Sequence, residues 1–265
     1  MGDRKLVRLD AHTQNSMKLT RIVRLAIPAP APSSAARSHD PWMMHFELEV
    51  TIAGTPDATT GYIVGIQEID AAVRAAAPAL LQGAMTRGET PPSILPSLRI
   101  ALQTTLGLDV VRLTIRQHAL ALIATEHAMP NHAVLTHRFD FAASHRLHCA
   151  SLSDEANRRV FGKCNNPAGH GHNYRLETEV RVPLLDPPAL RSEEIERLAH
   201  EHVVERLDHK HLNTDVPCFG DKNPSVEAIA KVCFDWLQPA IRTAGAELVR
   251  VRVWETEKTS AIYPE

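Results

Sequence analysis

From His172 to Val182 (HNYRLETEVRV) apolar and polar side chains alternate, a pattern that specifies a β-strand with one buried face. Directly ahead of it stands the segment Gly169-His170-Gly171-His172. Residues two apart on a strand point the same way, so this H-x-H pair presents both imidazoles on one face. Upstream, a strand-like run from Phe139 ends near His145, and Cys164 lies between the two. A third histidine delivered from a neighbouring strand would complete a three-histidine zinc site. Such a site keeps a fourth position open for water or substrate, as catalytic zinc does. The glycines before each histidine are expected to remove bulk where backbone and ligand come close. An H-x-H pair alone is weak, because histidines on surface strands are common.

Composition excludes some alternatives. A net charge of -2 and a pI near 6.7 give no electrostatic footprint for nucleic acid or an anionic membrane. Aromatic residues make up 5% of the chain, too few for base-stacking platforms. No apolar run is long enough to span a bilayer, and the N-terminus lacks a signal-peptide core. The four cysteines show no framework spacing, which points to reduced thiols and a cytoplasmic protein. At 265 residues the chain can form one large domain or two small ones.

Taken in order, residues 1–16 show no periodicity and read as a flexible tail. Leu19 to Ile27 and Met44 to Ile52 alternate as strands, separated by a proline-rich loop, Pro28 to Arg37. Thr55 to Thr60 reads as a turn. Helices are expected over Ile66 to Leu81 and Ser93 to Leu106, then strands over Val110 to Arg116 and Leu120 to Ala124. The segment Ala128 to Ala133 is a natural boundary. The second half has the same order. A strand runs from Leu135 to Ala143, another from His172 to Val182, and a helix opens at Pro187-Pro188 and continues to about Leu207. Ser225 can cap a further helix with the stripe Val226, Ile229, Ala230, Cys233, Trp236 and Leu237. Leu248 to Trp254 and Thr259 to Tyr263 close the chain as strands.

The halves superpose as sequences. FELEVTI from Phe46 matches YRLETEV from Tyr174, and VVRLTIRQ from Val110 matches LVRVRVWE from Leu248. The offset grows between the blocks, where only the second half carries LDHKHLNTDVP (Leu207 to Pro217). The expectation is two copies of one β-β-α-α-β-β unit. A degenerate domain covers residues 17–130 and a chemically competent one residues 131–265. Opposite His170 and His172 stand Trp42 and Met44, opposite His145 roughly Ala29, and opposite Glu255 Gln117; Cys164 has no counterpart. An unrelated α+β domain aligned by chance is the plainer alternative.

Four blocks in the second half carry a more specific likeness: FDFAASHRLH, SLSDEANRRVFGKCNNPAGHGHNY, LDHKHLNTDVP and VRVWET. In this order and spacing they resemble the 6-pyruvoyl-tetrahydropterin synthase family, over about half the chain. The resemblance implies an α+β tunnelling fold, an antiparallel sheet with two helices on one face, whose units join as homo-oligomers into a barrel. It implies Zn2+ held by His145, His170 and His172. It makes Cys164 a base near neutral pH, its pKa lowered by the dication and Lys163. Asp208 and His209 become a proton-shuttling pair, although neighbouring side chains need not bond each other. Glu255, with Thr256 beside it, would accept two hydrogen bonds from the pterin's guanidine-like edge.

The implied reaction converts 7,8-dihydroneopterin triphosphate to 6-pyruvoyl-tetrahydropterin with loss of triphosphate, a carbon-oxygen lyase needing no nicotinamide. The alternative is the carboxy-forming relative of the queuosine pathway, against which the spacing Cys-x5-His-Gly-His counts. A non-catalytic zinc- or pterin-binding protein is a third reading. His137 and His148 read as surface or supporting residues and His211 as a bystander. Cys149, Cys218 and Cys233 have no matching role.

Overall fold

The computed structural model describes residues 17–30, 43–185, 189–220 and 222–265. The expected tail, residues 31–37 of the proline-rich loop, Trp42 and Pro187-Pro188 lie outside the described residues. The chain divides into two compact units, residues 1–134 with 183–186, and residues 135–182 with 187–265. That division falls a few residues beyond the expected boundary. No helix is long and apolar enough to cross a membrane among the described residues.

In the first unit, strands β1 (Met17–Pro28), β2 (Met43–Gly54), β3 (Val110–His118) and β4 (Ala121–Glu126) pair antiparallel in that order. Alternation places Val23, Leu25, Ile27, Leu48, Val50, Ile52, Leu113 and Ile115 in the core. Helices α1 (Ile66–Arg87) and α2 (Pro91–Leu106) fall between β2 and β3. They contribute Ile69, Val73, Leu81, Leu95, Leu98 and Leu102 to the same core. α1 runs six residues past the expected end at Leu81. Pro78 does not stop it, because Leu81 and Ala84 keep burying the same stripe until Gly88 ends the helix at φ 70. Two irregularities mark β3. The β2–β3 register shifts between Thr51 and Ile52, and the β3–β4 register shifts between Arg116 and His118, which leaves Gln117 as an extra residue.

The second unit contains β5 (His132–His145), β6 (His170–Pro183), β8 (Glu247–Thr256) and β9 (Thr259–Tyr263), neighbours in that order. A two-residue strand, β7 (Lys210–His211), runs parallel to the end of β5 and sets Lys210 against Ala143 and His211 against Ser144. Helix α3 (Asp154–Phe161) lies between β5 and β6, an element the strand-helix order did not anticipate. Helix α4 (Ser192–Ala199) continues through a π turn (His200–Val204) into a last turn, α5 (Glu205–Leu207), and α6 (Leu212–Asp215) follows β7. The expected helix therefore reaches Leu207 as read but begins later than the expected opening at Pro187-Pro188. It starts at Ser192, because residues 189–191 are not helical and Arg191, in an extended conformation, precedes the first turn. The π turn shifts the backbone phase just before Asp208, a common device next to functional residues.

Helix α7 (Val226–Thr243) starts where expected, with the Ser225 hydroxyl accepting from the Ala228 amide at 3.4 Å. Its buried stripe includes Phe234 and Ile241. Trp236, expected in that stripe, is only partly buried and carries the Arg206 guanidinium 5.2 Å over its ring. The register irregularities recur: β6–β8 shifts between Glu179 and Val180, and β8–β9 between Trp254 and Thr256, with Glu255 as the extra residue.

Candidate metal centre and its surroundings

The β-strand alternation that buries Phe139, Phe141 and Ala143 also buries His145 at the end of β5, at 0% exposure. His170 and His172 open β6 on the face that carries buried Tyr174. Ligand nitrogens of the three imidazoles all lie within 4.8 Å of one another, and Nε2 of His145 is 3.2 Å from Nε2 of His170. Two nitrogens bound tetrahedrally at about 2.0–2.1 Å from one ion stand about 3.3 Å apart. The tautomer of His145 fits as well. Its Nδ1 donates to the Pro224 carbonyl at 2.7 Å, leaving the Nε2 lone pair turned to the cluster. Nε2 of His172 is buried without a hydrogen-bond partner. Burial lowers the pKa of His145 and of His170, with neighbouring imidazoles adding to it, so both favour the neutral, ligating form. The donor set suits a dication.

Gly169 is required here and Gly171 is not. At Gly169, φ is +71°, and a Cβ would sit 2.9 Å from both the His145 carbonyl oxygen and Nε2 of His211. A Cβ at Gly171 meets only the Ala143 carbonyl oxygen, at an ordinary 3.6 Å. The expectation that both glycines relieve crowding holds for the first alone.

The bulge in β8 re-aims Glu255. Its Oε1 lies 3.5 Å from Nε2 of His145 and 3.7 Å from Nε2 of His172, so the carboxylate reaches the histidine cluster itself. Thr256 is exposed and its hydroxyl accepts from the Lys258 amide at 3.2 Å. Cys164 sits in a short 3-10 turn, Gly162–Asn165, stitched to the chain just past His145. The Leu147 amide donates to the Cys164 carbonyl at 2.8 Å, and Asn165 Nδ2 donates to the Leu147 carbonyl at 2.7 Å. Burial and the Glu255 carboxylate push the Cys164 thiol up, opposite to the lowering read from sequence. The lowering invoked there depends on a cation, which neither Glu255 nor burial supplies.

Asp208 and His209 do bond each other: Nδ1 of His209 is 2.8 Å from Oδ2 of Asp208. The other carboxylate oxygen accepts from the Ala142 amide at 2.8 Å. These contacts, the Ala142 amide first, hold the Asp208 carboxyl below its usual range. His209 adopts φ 56, the left-handed region that non-glycine residues rarely occupy, while its amide donates to the Ala142 carbonyl at 2.6 Å. Its imidazole is 82% exposed. A cleft of about 600 Å³ has His172, Asn173, His209, Lys210, His211 and Asp215 in its lining. His172 of the cluster and His209 therefore share one opening.

Comparison with known proteins places this geometry. The model of the family described as 6-pyruvoyl tetrahydropterin synthase matches residues 134–265. The chain is 38% identical over 134 residues to human 6-pyruvoyl tetrahydrobiopterin synthase, covering 49% of this chain and 90% of the relative. The chain belongs to the 6-pyruvoyl tetrahydropterin synthase family. The 6-pyruvoyl tetrahydrobiopterin synthase of Poecilia reticulata is 39% identical over 126 residues, covering 46% of this chain and 84% of that one. The structure of Caenorhabditis elegans 6-pyruvoyl tetrahydropterin synthase matches at 30% identity with a TM-score of 0.46, over 50% of this chain and 94% of that one. Uricase from Arthrobacter globiformis matches at 10% identity and a TM-score of 0.53, over 96% of this chain and 93% of that chain, a likeness of fold alone.

Within this synthase-family unit several supporting residues escaped the sequence reading. Tyr174 is fully buried, stacks on Phe141 at 5.1 Å, and sets its hydroxyl 3.4 Å from Nδ1 of His145. Alternation alone places it on the ligand face, so that signal was present. Asn213 clamps Arg146 through both its amide (2.8 Å) and its carbonyl (2.9 Å), and Asn223 Oδ1 accepts from the His148 amide at 2.7 Å. Asn157, the buried residue of α3, gathers the carbonyls of Cys149, Leu152 and Ser153. Nothing in sequence marks these. His137 is buried at 2% exposure, not a surface residue, and eight residues of extended strand, about 26 Å, separate it from His145. His148 is partly buried, and its Nδ1 faces Arg146 Nη2 at 3.3 Å and Asn165 Nδ2 at 3.1 Å. Cys218 is exposed and Cys233 buried in the α7 stripe.

Proposed function

We propose that the chain is a zinc-dependent synthase converting 7,8-dihydroneopterin triphosphate to 6-pyruvoyl-tetrahydropterin with release of triphosphate. The observation that carries this reading is the convergence of three ligand-competent imidazoles with Glu255, the Cys164 turn and the hydrogen-bonded Asp208–His209 pair, in a unit of this family. His145, His170 and His172 would hold the ion, which as a Lewis acid would polarise the substrate's side-chain hydroxyls and acidify the adjoining C–H bonds. Cys164 takes a proton from the side chain. His209, its tautomer set by Asp208, moves a proton on the cleft side. Glu255 accepts from the two N–H groups of the heterocycle's guanidine-like edge, with Thr256 beside it. The two side-chain carbinols become ketones while the ring is reduced and triphosphate departs, so no external hydride donor is required.

The first unit is proposed to be a degenerate copy of the second. The sequence offsets support it: moving 128 positions along carries Thr51/Ile52 onto Glu179/Val180, and moving 138 carries Arg116/His118 onto Trp254/Thr256. Those are the sites of the two register shifts in each unit. Such units would join into a homo-oligomeric barrel in the cytoplasm.

Anaerobic incubation of zinc-loaded protein with dihydroneopterin triphosphate, read by mass spectrometry, tests the reading. Pyruvoyl-tetrahydropterin with released triphosphate is expected. Carboxy-tetrahydropterin with acetaldehyde would reassign the protein to deazapurine synthesis, and neither product with zinc bound would leave a binding module.

A further inference from the structure

Arg146 follows the ligand His145, and Lys163 precedes Cys164. The Arg146 guanidinium is partly buried, yet no carboxylate pairs with it among the described residues. Among the described residues its one side-chain hydrogen bond is Nη2 to Nδ1 of His148 at 3.3 Å, and its Nε has no acceptor. Nδ1 of His148 also receives Asn165 Nδ2 at 3.1 Å, so His148 ties the guanidinium to the turn that carries Lys163 and Cys164. Asn213 holds the Arg146 backbone from both sides. Lys163, Arg158 and Arg159 are likewise exposed and without carboxylate partners among the described residues. Elsewhere in this unit the arginines at 138, 175, 181, 197 and 250 meet acids, Arg206 and Arg252 lie over Trp236 and Trp254, and Arg191 and Arg242 are exposed. Arg146 differs in being partly buried and held without an acid or an aromatic ring among the described residues. A guanidinium half withdrawn from water, held in place and left without a counter-charge is arranged for an anion supplied from outside.

We infer that Arg146 and Lys163 form the phosphate-binding rim of the site, receiving the triphosphate of the substrate and retaining it as it leaves. The inference rests on the proposed reaction for the identity of the anion. In that substrate the triphosphate is on the third side-chain carbon, next to the two hydroxyl-bearing carbons. An anion so tethered lies within a few bonds of the groups that bind and deprotonate the side chain, and Arg146 and Lys163 are the chain neighbours of His145 and Cys164. Arg146 supplies a planar fork for non-bridging oxygens, and Lys163 a mobile point charge.

The test is calorimetric titration of inorganic triphosphate into zinc-loaded and zinc-stripped full-length protein, with Arg146→Gln, Lys163→Gln and Lys210→Gln beside the wild type. Far-UV spectra and zinc content establish that each variant folds. Wild-type binding in both metal states is expected, weakening as salt rises, and each rim variant should lose about tenfold or more. In turnover, the rim variants should raise KM for dihydroneopterin triphosphate more than they lower kcat. Wild-type affinity in Arg146→Gln and Lys163→Gln overturns the assignment, as does loss confined to Lys210→Gln, which would move the anion into the cleft. Binding that vanishes with the zinc would also overturn it, since the metal alone would then hold the phosphates. Triphosphate binding without pterin turnover keeps the rim and removes the proposed reaction; turnover with unchanged KM in both rim variants does the reverse.

Discussion

At the scale of single residues, Gly169 and Gly171 separate two effects that look alike in sequence. Alanine at 169 would combine a left-handed backbone with contacts of 2.9 Å to the His145 carbonyl oxygen and to His211. A cost of about 1–3 kcal/mol in denaturant unfolding is expected, with reduced metal content because His170 follows directly. Gly171→Ala, with only a 3.6 Å contact, should keep both. Equal losses in the two variants would contradict the geometry. Cys164→Ala should abolish turnover yet leave the metal bound, as judged by metal analysis; loss of metal would argue against a base role. The buried histidines predict a pH dependence. Burial lowers the folded pKa of His145 and His170 below the ordinary 6.5, so the unfolded chain binds more protons in that window. The stability they contribute is full above about 6.5 and is lost as pH falls toward the folded values. Melting temperature of metal-free protein should therefore drop between pH 7.5 and 5.5, and His145→Ala should flatten that drop.

At the scale of elements, the three residues before α7 link the helix to the site. Asn223 accepts from the His148 amide, Pro224 accepts from His145 Nδ1, and Ser225 caps the helix through the Ala228 amide. Ser225→Ala is expected to cost about 1 kcal/mol of stability and to weaken metal affinity in competition titrations, because the Pro224 carbonyl is positioned by the same turn. Unchanged affinity would show that the carbonyl is held independently of the cap. This segment also shows where sequence reading stops. Strands were legible because burial on one face writes period-two alternation into residues such as those of β6 and β8. The clustering of the histidine pair was legible for the same reason, since His170, His172 and Tyr174 share that phase. The Pro224 contact was not legible, because a backbone carbonyl has no residue signature. The end of α1 was placed six residues short at Leu81, whereas burial continues through Ala84 and the helix stops only at Gly88. The rise in Cys164 pKa was missed because it comes from burial and from Glu255, more than ninety positions away in the chain.

At the scale of the whole molecule, the proposed duplication predicts a stoichiometry. Two units share the order of their long strands, two long helical stretches after the second strand (α1 and α2; α4 through α5, and α7), and both register shifts at matching offsets. Bulges placed alike preserve the local geometry that re-aims a side chain, so Gln117 occupies in the first unit the bulged position that Glu255 occupies in the second. The chemistry at these positions differs. Met44 stands where His172 would, and a carboxamide replaces the carboxylate, so the first unit lacks imidazoles to hold a dication there. Metal analysis of zinc-loaded protein should return one ion per chain, and His172→Ala should bring it close to none. A first unit with a site of its own would give two ions per chain, falling to one in that variant. Gln117→Glu restores the carboxylate without any imidazole, so it should leave the count at one, because neutral nitrogen donors, rather than the acid beside them, hold the ion in such a cluster.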